Sequence, residues 1–270
     1  MRRCTWIMAV VALCAARAMP AVAQDQDAAA ELAKKLANPV ASLISVPIQY
    51  NYDANYGPDE EGSVSRVNVQ PVIPLSLNGT WNLITRTIVP LVDQQDVPLE
   101  GMDESGLGDV TASQFFSPKA PTAGGWIWGL GPVELLATAS DGALGGEKWG
   151  LGPTGVALKQ AGPITFGLLF NHIWSVGGHE ERTDVNATFL QPFVSYVTRT
   201  KTTLGAQTEA TYDWVNDQWS VPLIAQVSQL LKIGPQIIQV SVGGKYWAEG
   251  PEYGPDGWGL RVGLTFLFPK

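Results

Sequence analysis

The stretch Gly257-Trp258-Gly259-Leu260-Arg261-Val262-Gly263-Leu264-Thr265-Phe266-Leu267-Phe268, just before Pro269-Lys270, decides the fold class. Trp258, Leu260, Val262, Leu264, Phe266 and Phe268 fall on every second residue. Gly259, Arg261, Gly263 and Thr265 lie between them, with Leu267 as the one apolar exception. Successive side chains of a strand point to opposite faces, so the segment has one bulky apolar face and one small, polar face. A strand of a soluble sandwich can carry the same pattern. In an exported chain, a strand that ends on an aromatic near the carboxyl terminus points instead to the closing strand of an outer-membrane barrel.

Export is legible at the other end. Met1-Arg2-Arg3, the apolar run Ile7 to Leu13 and Ala21-Val22-Ala23 before Gln24 form a secretory signal peptide over residues 1–23. The apolar core is too short to cross a bilayer as a helix. Lipid attachment at Cys14 is disfavoured by Leu13, which stands where a small residue is wanted. Both cysteines, Cys4 and Cys14, leave with this peptide, so disulfides, thiolate metal sites and a cysteine nucleophile are excluded. The 17 basic residues less Arg2, Arg3 and Arg17 leave 14 against 25 acidic ones, a formal charge of 14 − 25 = −11. That balance argues against nucleic acid as a partner and against a basic patch for anionic lipid.

Residues 24–41 are expected to form a periplasmic helix and linker. Ala28 to Leu36 is rich in helix formers, Leu32 and Leu36 share a face, and Asn38-Pro39 stops the run. A solvated lead-in is the expectation; a plug in a barrel mouth is the alternative. Residues 42–270 then break into about twelve segments long enough for tilted membrane strands. They lie near 42–54, 63–76, 80–92, 107–117, 125–139, 148–161, 163–176, 184–199, 202–215, 217–231, 236–248 and 257–268, with ambiguous phase around 184–199.

Connections alternate in length and charge. Asn78-Gly79, Ala161-Gly162-Pro163, Arg199-Thr200-Lys201 and Ile233-Gly234-Pro235 are short, and Ser117 to Gly124 is the longest of that set. Those between hold Asp59-Glu60-Glu61, Asp93 to Glu104, Asp141 to Glu147, Glu180-Glu181, and Glu249, Glu252 and Asp256. Short turns at one end and longer loops at the other are the asymmetry of outer-membrane barrels. Trp81, Trp126, Trp128, Trp149, Trp174, Trp214, Trp219, Trp247 and Trp258 fall near segment ends, as interfacial girdles require. Pro47, Pro71, Pro74, Pro192 and Pro222 each remove a ladder donor, and are expected at bulges or strand ends.

The chain also resembles a family of Gram-negative outer-membrane proteins labelled after the meta-pathway of phenol degradation, or simply transporter, and sometimes mislabelled neuromedin U. The resemblance covers about Glu31 to Lys270. It rests on Glu31-Leu32-Ala33-Lys34-Lys35-Leu36-Ala37-Asn38-Pro39, Trp81-Asn82-Leu83-Ile84-Thr85-Arg86-Thr87-Ile88, Gly106-Leu107-Gly108-Asp109, Asn171-His172-Ile173-Trp174-Ser175 and Phe266-Leu267-Phe268-Pro269-Lys270. It implies an outer-membrane barrel that passes small, aromatic or hydrophobic compounds. It brings no catalytic or ligand residues with it.

Catalysis finds little support in the residues. Only His172 and His179 are available as bases. Alternation puts His172 on the lipid face and Ser175 on the opposite one, while His179 sits in the acidic loop Gly177-Gly178-His179-Glu180-Glu181. No metal-ligand spacing is present, and Gly129-Leu130-Gly131-Pro132 and Gly150-Leu151-Gly152-Pro153 lack the Lys-Ser/Thr of a phosphate loop. These glycines are expected to make room inside a barrel. No catalytic residue, cofactor or metal site is assigned.

The same alternation turns charges inward: Arg66, Arg86, Glu134, Glu209, Lys245 and Arg261 are the candidate lumen residues. Arg or Lys facing lipid near the midplane costs about 2–4 kcal/mol, which favours the interior. They form either a static ion-pair lattice filling a narrow barrel or the lining of a selective passage. The expectation is an all-β, single antiparallel transmembrane barrel of about twelve strands with a short N-terminal helix, in the outer membrane. Its partners are the bilayer and a small-molecule solute, and it is expected to be monomeric. Its function is narrow, passive passage; a barrel enzyme acting on lipid or peptide and a structural or surface-recognition barrel are the rivals.

Overall fold

The alternation closes into a ring. The computed structural model describes residues 29–269, so the signal peptide at 1–23 lies outside the described residues. Its strand segments are β1 (Ile44–Tyr56), β2 (Gly62–Val69), β3 (Val72–Ser76), β4 (Trp81–Gln95), β5 (Glu104–Leu107), β6 (Val110–Pro118), β7 (Trp126–Leu136), β8 (Lys148–Ala161), β9 (Ile164–Gly178), β10 (Asn186–Val197), β11 (Thr202–Thr208), β12 (Ala210–Asp213), β13 (Gln218–Ile233), β14 (Gln236–Glu249) and β15 (Gly257–Phe268). Three pairs, β2 with β3, β5 with β6 and β11 with β12, are single staves interrupted once, which leaves a closed barrel of 12 antiparallel staves. Closure is made by β1 on β15, from Ile44 opposite Phe268 to Tyr52 opposite Leu260.

One mouth carries the short turns, at 77–80, 119–125, 162–163, 198–201 and 234–235, and the other the loops 57–61, 96–103, 137–147, 179–185, 214–217 and 250–256. The short-turn mouth is the periplasmic one. On β15 the bulky set faces out, with Trp258 72% exposed on the bare chain, while Arg261 at 3% and Leu267 at 2% face in. The phase of β10 is now fixed: Phe189 and Phe193 pack on the interior cluster and Val197 is buried.

Two of the five strand prolines sit where expected. Pro71 occupies the gap between β2 and β3, and Pro222 is at a register shift against β14. Pro47, Pro74 and Pro192 lie inside β1, β3 and β10, where the registers with β15, β4 and β9 run on unbroken. A strand residue turns its N–H toward one neighbour only, so such a proline deletes one bond of the ladder. Pro192 and Pro222 have a joint effect. The β10 pairing skips from Leu190–Ala210 to Phe193–Gln207, and the β13 pairing from Thr211–Ser220 to Thr208–Leu223. Glu209, between them, therefore lies at the break separating β11 from β12.

The described part of the lead-in, residues 29–41, is not a wholly solvated segment: Glu31 and Lys35 are exposed but one face is packed. The helix at 29–36 and the following residues sit in the periplasmic mouth, with Ala33 1% and Val40 4% exposed. Val40 packs on Ile84, Phe115, Val156, Leu158 and Leu169 inside the barrel, and Ala41 and Leu43 pack on Leu267. Gln160 donates to the Lys34 carbonyl at 2.8 Å. Leu267, the apolar exception of the last strand, is thus the wall's contact with this plug. Room for Val40 comes partly from Gly129, where an added Cβ would lie 3.2 Å from a Val40 methyl and 3.1 Å from the Phe115 Cβ.

Candidate functional site

Between the mouths the lumen carries a polar belt. Arg261 holds both carboxylate oxygens of Glu209, at 2.7 and 2.8 Å, and donates its Nε to Asn51 at 2.7 Å. Gln207 donates to Glu209 at 2.8 Å. Lys245 pairs with Asp53 at 2.8 Å, and the Trp247 indole donates to the other Asp53 oxygen at 2.9 Å. Trp247 therefore points inward, unlike the other members of the expected girdles that alternate outward. Its ring also lies 5.4 Å from the Lys245 ammonium, a cation–π contact.

Five of the six candidate residues thus divide into two kinds. Lys245, Arg261 and Glu209 are tied into close ion pairs, which is the lattice arrangement. Arg86 faces the lumen and donates to a neutral acceptor, the Gln70 amide oxygen at 2.8 Å. Arg66 also faces in, opposite Asn51 and Val92. Neither Arg66 nor Arg86 has a carboxylate within ion-pairing distance among the described residues.

Glu134 departs from the expectation. It lies on the outer wall, in register with Ala112 and Leu151, and accepts a hydrogen bond from Gln114 at 2.8 Å. The phase of β7 is set by Val133, which is fully buried, and by Gly129, which admits Val40. Glu134 is pushed outward as a result. It sits close to the loop end of β7, level with Leu151 and its neighbour Trp174, where a carboxylate facing the interface costs little.

Two cavities flank the belt. The inner one, about 260 Å³, lies against the plug and is lined by Arg86, Gln70, Gln207, Gln226, Val72 and Phe193 among others. The outer one, about 340 Å³, is lined by Arg66, Tyr56, Val92, Asp109 and Leu144. Its roof is the loop 137–147. Leu144 is buried against the inward-facing Val64 and Val92, so this loop folds into the mouth rather than away from it. Asp109 is the latch: its carboxylate accepts from the amides of Thr138 (3.0 Å), Ala139 (3.1 Å) and Gly146 (2.7 Å). Arg182, from the next loop, donates to the carbonyls of Gly142 and Gly145, both at 2.6 Å, and pairs with Glu147 at 3.3 Å. Gly106 leaves the space that Ser140 occupies, since a Cβ there would overlap the Ser140 hydroxyl. The Gly106-Leu107-Gly108-Asp109 motif is thus the seat of a lid, a role that its sequence alone does not disclose.

Asp184 clamps the same loop region. Its carboxylate lies 2.9 Å from Lys148 and accepts from Ser175 at 3.1 Å. Those hydrogen bonds, from Lys148 first and then Ser175, hold its titration below the ordinary carboxylate range. Ser175 is accordingly engaged with Asp184 on the lumen side. His172 lies on the outer wall, its Nδ1 2.7 Å from the Thr188 hydroxyl and its ring 4.1 Å from that of Trp174. The two are not poised for a Ser–His relay. No group of three or more potential ligands that could hold a metal ion occurs among the described residues.

The architecture has solved counterparts. An outer membrane channel from Pseudomonas putida F1 superposes with a TM-score of 0.66 at 14% identity, over 84% of this chain and 96% of that one. The NanC porin superposes at 0.51 and 13% identity, over 83% of this chain and 98% of that one. The fold is an outer-membrane barrel. With its apolar outer wall, a closed ring of this kind belongs in the outer membrane. Comparison with protein-family models and with curated protein sequences gives no match.

Proposed function

We propose that this barrel is a narrow, passive channel for small solutes, with the helix and its tail in one mouth and the loop 137–147 folded into the other. The observation that carries the reading is the charge balance of the belt. In the belt Arg66, Arg86, Lys245 and Arg261 stand against Asp53 and Glu209, Asp109 being bonded to loop amides above it, and the two cations with no carboxylate within ion-pairing distance each face a cavity. A side chain that merely filled the barrel would be expected to be neutralised, because an uncompensated charge in a low-dielectric interior costs several kcal/mol. Cations that line a path set which solutes enter it. Arg66 and Arg86 are accordingly the selectivity residues of this reading, with Lys245, Glu209 and Arg261 as their fixed frame and Glu134 outside it.

A barrel of 12 staves suits such a path. Eight staves are filled by side chains, whereas 16 to 18 enclose a wide aqueous channel. Solutes passing here are small and, in line with the resemblance to the phenol meta-pathway family, include compounds with an apolar body. Val72 and Phe193 in the inner cavity wall support that part. In this reading the protein acts as a monomer and catalyses no reaction. Purified protein in planar bilayers is the test: discrete conductance steps and solute flux into liposomes are expected. Silence in both, with folded protein shown to be inserted, removes the proposal.

A further inference from the structure

We infer that the inner cavity is a binding site for a small organic carboxylate with a short apolar body, and that Arg86 receives its carboxylate. The inference rests on the lumen being a solute path and specifies one solute class that it takes.

The argument begins with what Arg86 lacks. Its guanidinium offers five N–H donors in a planar fork, always charged. One, on Nη2, goes to the Gln70 amide oxygen at 2.8 Å, which orients the fork without neutralising it. Gln70 is itself steadied, donating to Gln49 at 3.3 Å. Glu209 acts on it only at a distance, because Arg261 holds both its oxygens and Gln207 adds a third bond. Arg86 is therefore a pre-oriented cation in a half-enclosed space, with no carboxylate in direct contact among the described residues. A fork of this shape matches a carboxylate in two-point contact.

The cavity completes the description. At about 260 Å³ it falls below the roughly 300–1,000 Å³ of sites for drug-sized molecules, so the ligand is small. Its lining is mixed: Gln207 and Gln226 join Arg86 as polar groups, while Phe193, Val72 and Leu36 are apolar. A carboxylate on a short hydrocarbon satisfies both kinds of lining. An amine would meet Arg86 as a like charge, and an alcohol could accept a hydrogen bond but would leave its charge uncompensated.

The test is calorimetric titration of the purified full-length mature protein in detergent micelles with butyrate, butylamine and butanol as probes. Saturable heat with butyrate and none with the other two is expected. Arg86→Gln should weaken butyrate binding by about tenfold or more, whereas Glu134→Gln, on the outer wall, leaves it unchanged. If Arg86→Gln does not reach the folded, heat-modifiable state, Arg86→Lys decides, with a several-fold loss expected because the fork is gone. Equal binding of butyrate and butylamine, or wild-type affinity in either Arg86 variant, overturns the inference. Butyrate binding without any conductance would sink the channel and leave this site standing, and conductance without butyrate binding would do the reverse.

Discussion

Arg261 closes on Glu209 through two parallel hydrogen bonds, Nη1 to Oε1 at 2.7 Å and Nη2 to Oε2 at 2.8 Å, across 52 residues of sequence. The Arg261 side chain is 3% exposed and that of Glu209 27%. Removing one partner strands the other in the lumen. Arg261→Gln should therefore destabilise the barrel by about 3 kcal/mol, the low end for breaking a buried pair, since Glu209 keeps contact with the open lumen. Adding Glu209→Gln should restore most of that loss. Urea midpoints followed by tryptophan fluorescence test this, and a double variant no more stable than Arg261→Gln alone would contradict it.

Asp109 latches the lid through three amide donors, and its own strand break leaves it free to do so. Hydrogen bonds to a charged acceptor contribute about 1.5–3 kcal/mol each where both groups are buried. Losing even about 2 kcal/mol of latch shifts the open-to-closed ratio by a factor on the order of 30. Asp109→Ala is thus expected to lengthen open times in single-channel records while the urea midpoint moves little. Unaltered gating would mean that 137–147 is a fixed rim.

The fold was legible because membrane strands must alternate, and the twelve sequence segments coincide with the 12 staves to within a few residues at most ends. β15 and β13 alternate cleanly and were readable in every facing. β7 is not: Gly129-Leu130-Gly131-Pro132 carries too few bulky inward residues to set a phase, so the expected inward facing of Glu134 rests only on its place between Val133 and Leu135. The plug was signalled by Leu267, an apolar residue on a polar face, but its partners Ala41 and Leu43 are over 200 residues away. The lid could not be read at all from the acidic composition of Asp141 to Glu147. What holds it is a carboxylate bonding to backbone amides about 30 residues on, and amides carry no residue identity. A place near a strand end suggests a girdle for Trp247, whereas its inward facing follows from Lys245, two residues earlier.

Asp184 gives the lid region an acid limit. Its titration is depressed by the hydrogen bonds from Lys148 and Ser175. A depressed carboxylate contributes stability that is fully present above its unfolded value, near 3.9, and is lost as pH falls through the folded one. The clamp on Lys148 should hold across neutral and mildly acidic pH and fail only below the usual carboxylate range. Open probability recorded against pH should rise at that acid end in the wild type. In Asp184→Asn the acid step should be absent, and a persistent step would assign it to another group.

The segment from the helix at 29–36 to Val40 covers the periplasmic mouth through apolar contacts with the wall, and no strand pairing depends on it. Deleting residues 29–41 from the exported protein should leave a barrel that still inserts, with a conductance several-fold above wild type. Val40→Asp is the milder version, since a carboxylate against Ile84, Phe115 and Leu158 costs several kcal/mol and should loosen the plug. Wild-type conductance in the deletion would place the constriction at the belt instead.

Ion selectivity separates the lumen charges from the outer one. Arg66 and Arg86 supply the positive excess of the belt, whereas Glu134 lies on the far side of the wall, bonded to Gln114. Under a salt gradient the wild type should show a reversal potential on the anion side. Arg66→Gln with Arg86→Gln should move it toward zero or beyond, because the remaining Lys245, Arg261, Asp53 and Glu209 balance. Glu134→Gln should leave it where it was, since the substituted atoms never meet the permeating ion. High ionic strength should shrink the wild-type preference only partly, as buried charges are screened far less than exposed ones. A reversal potential that follows Glu134 rather than the two arginines would reverse the facing of β7 and remove the basis for anion preference.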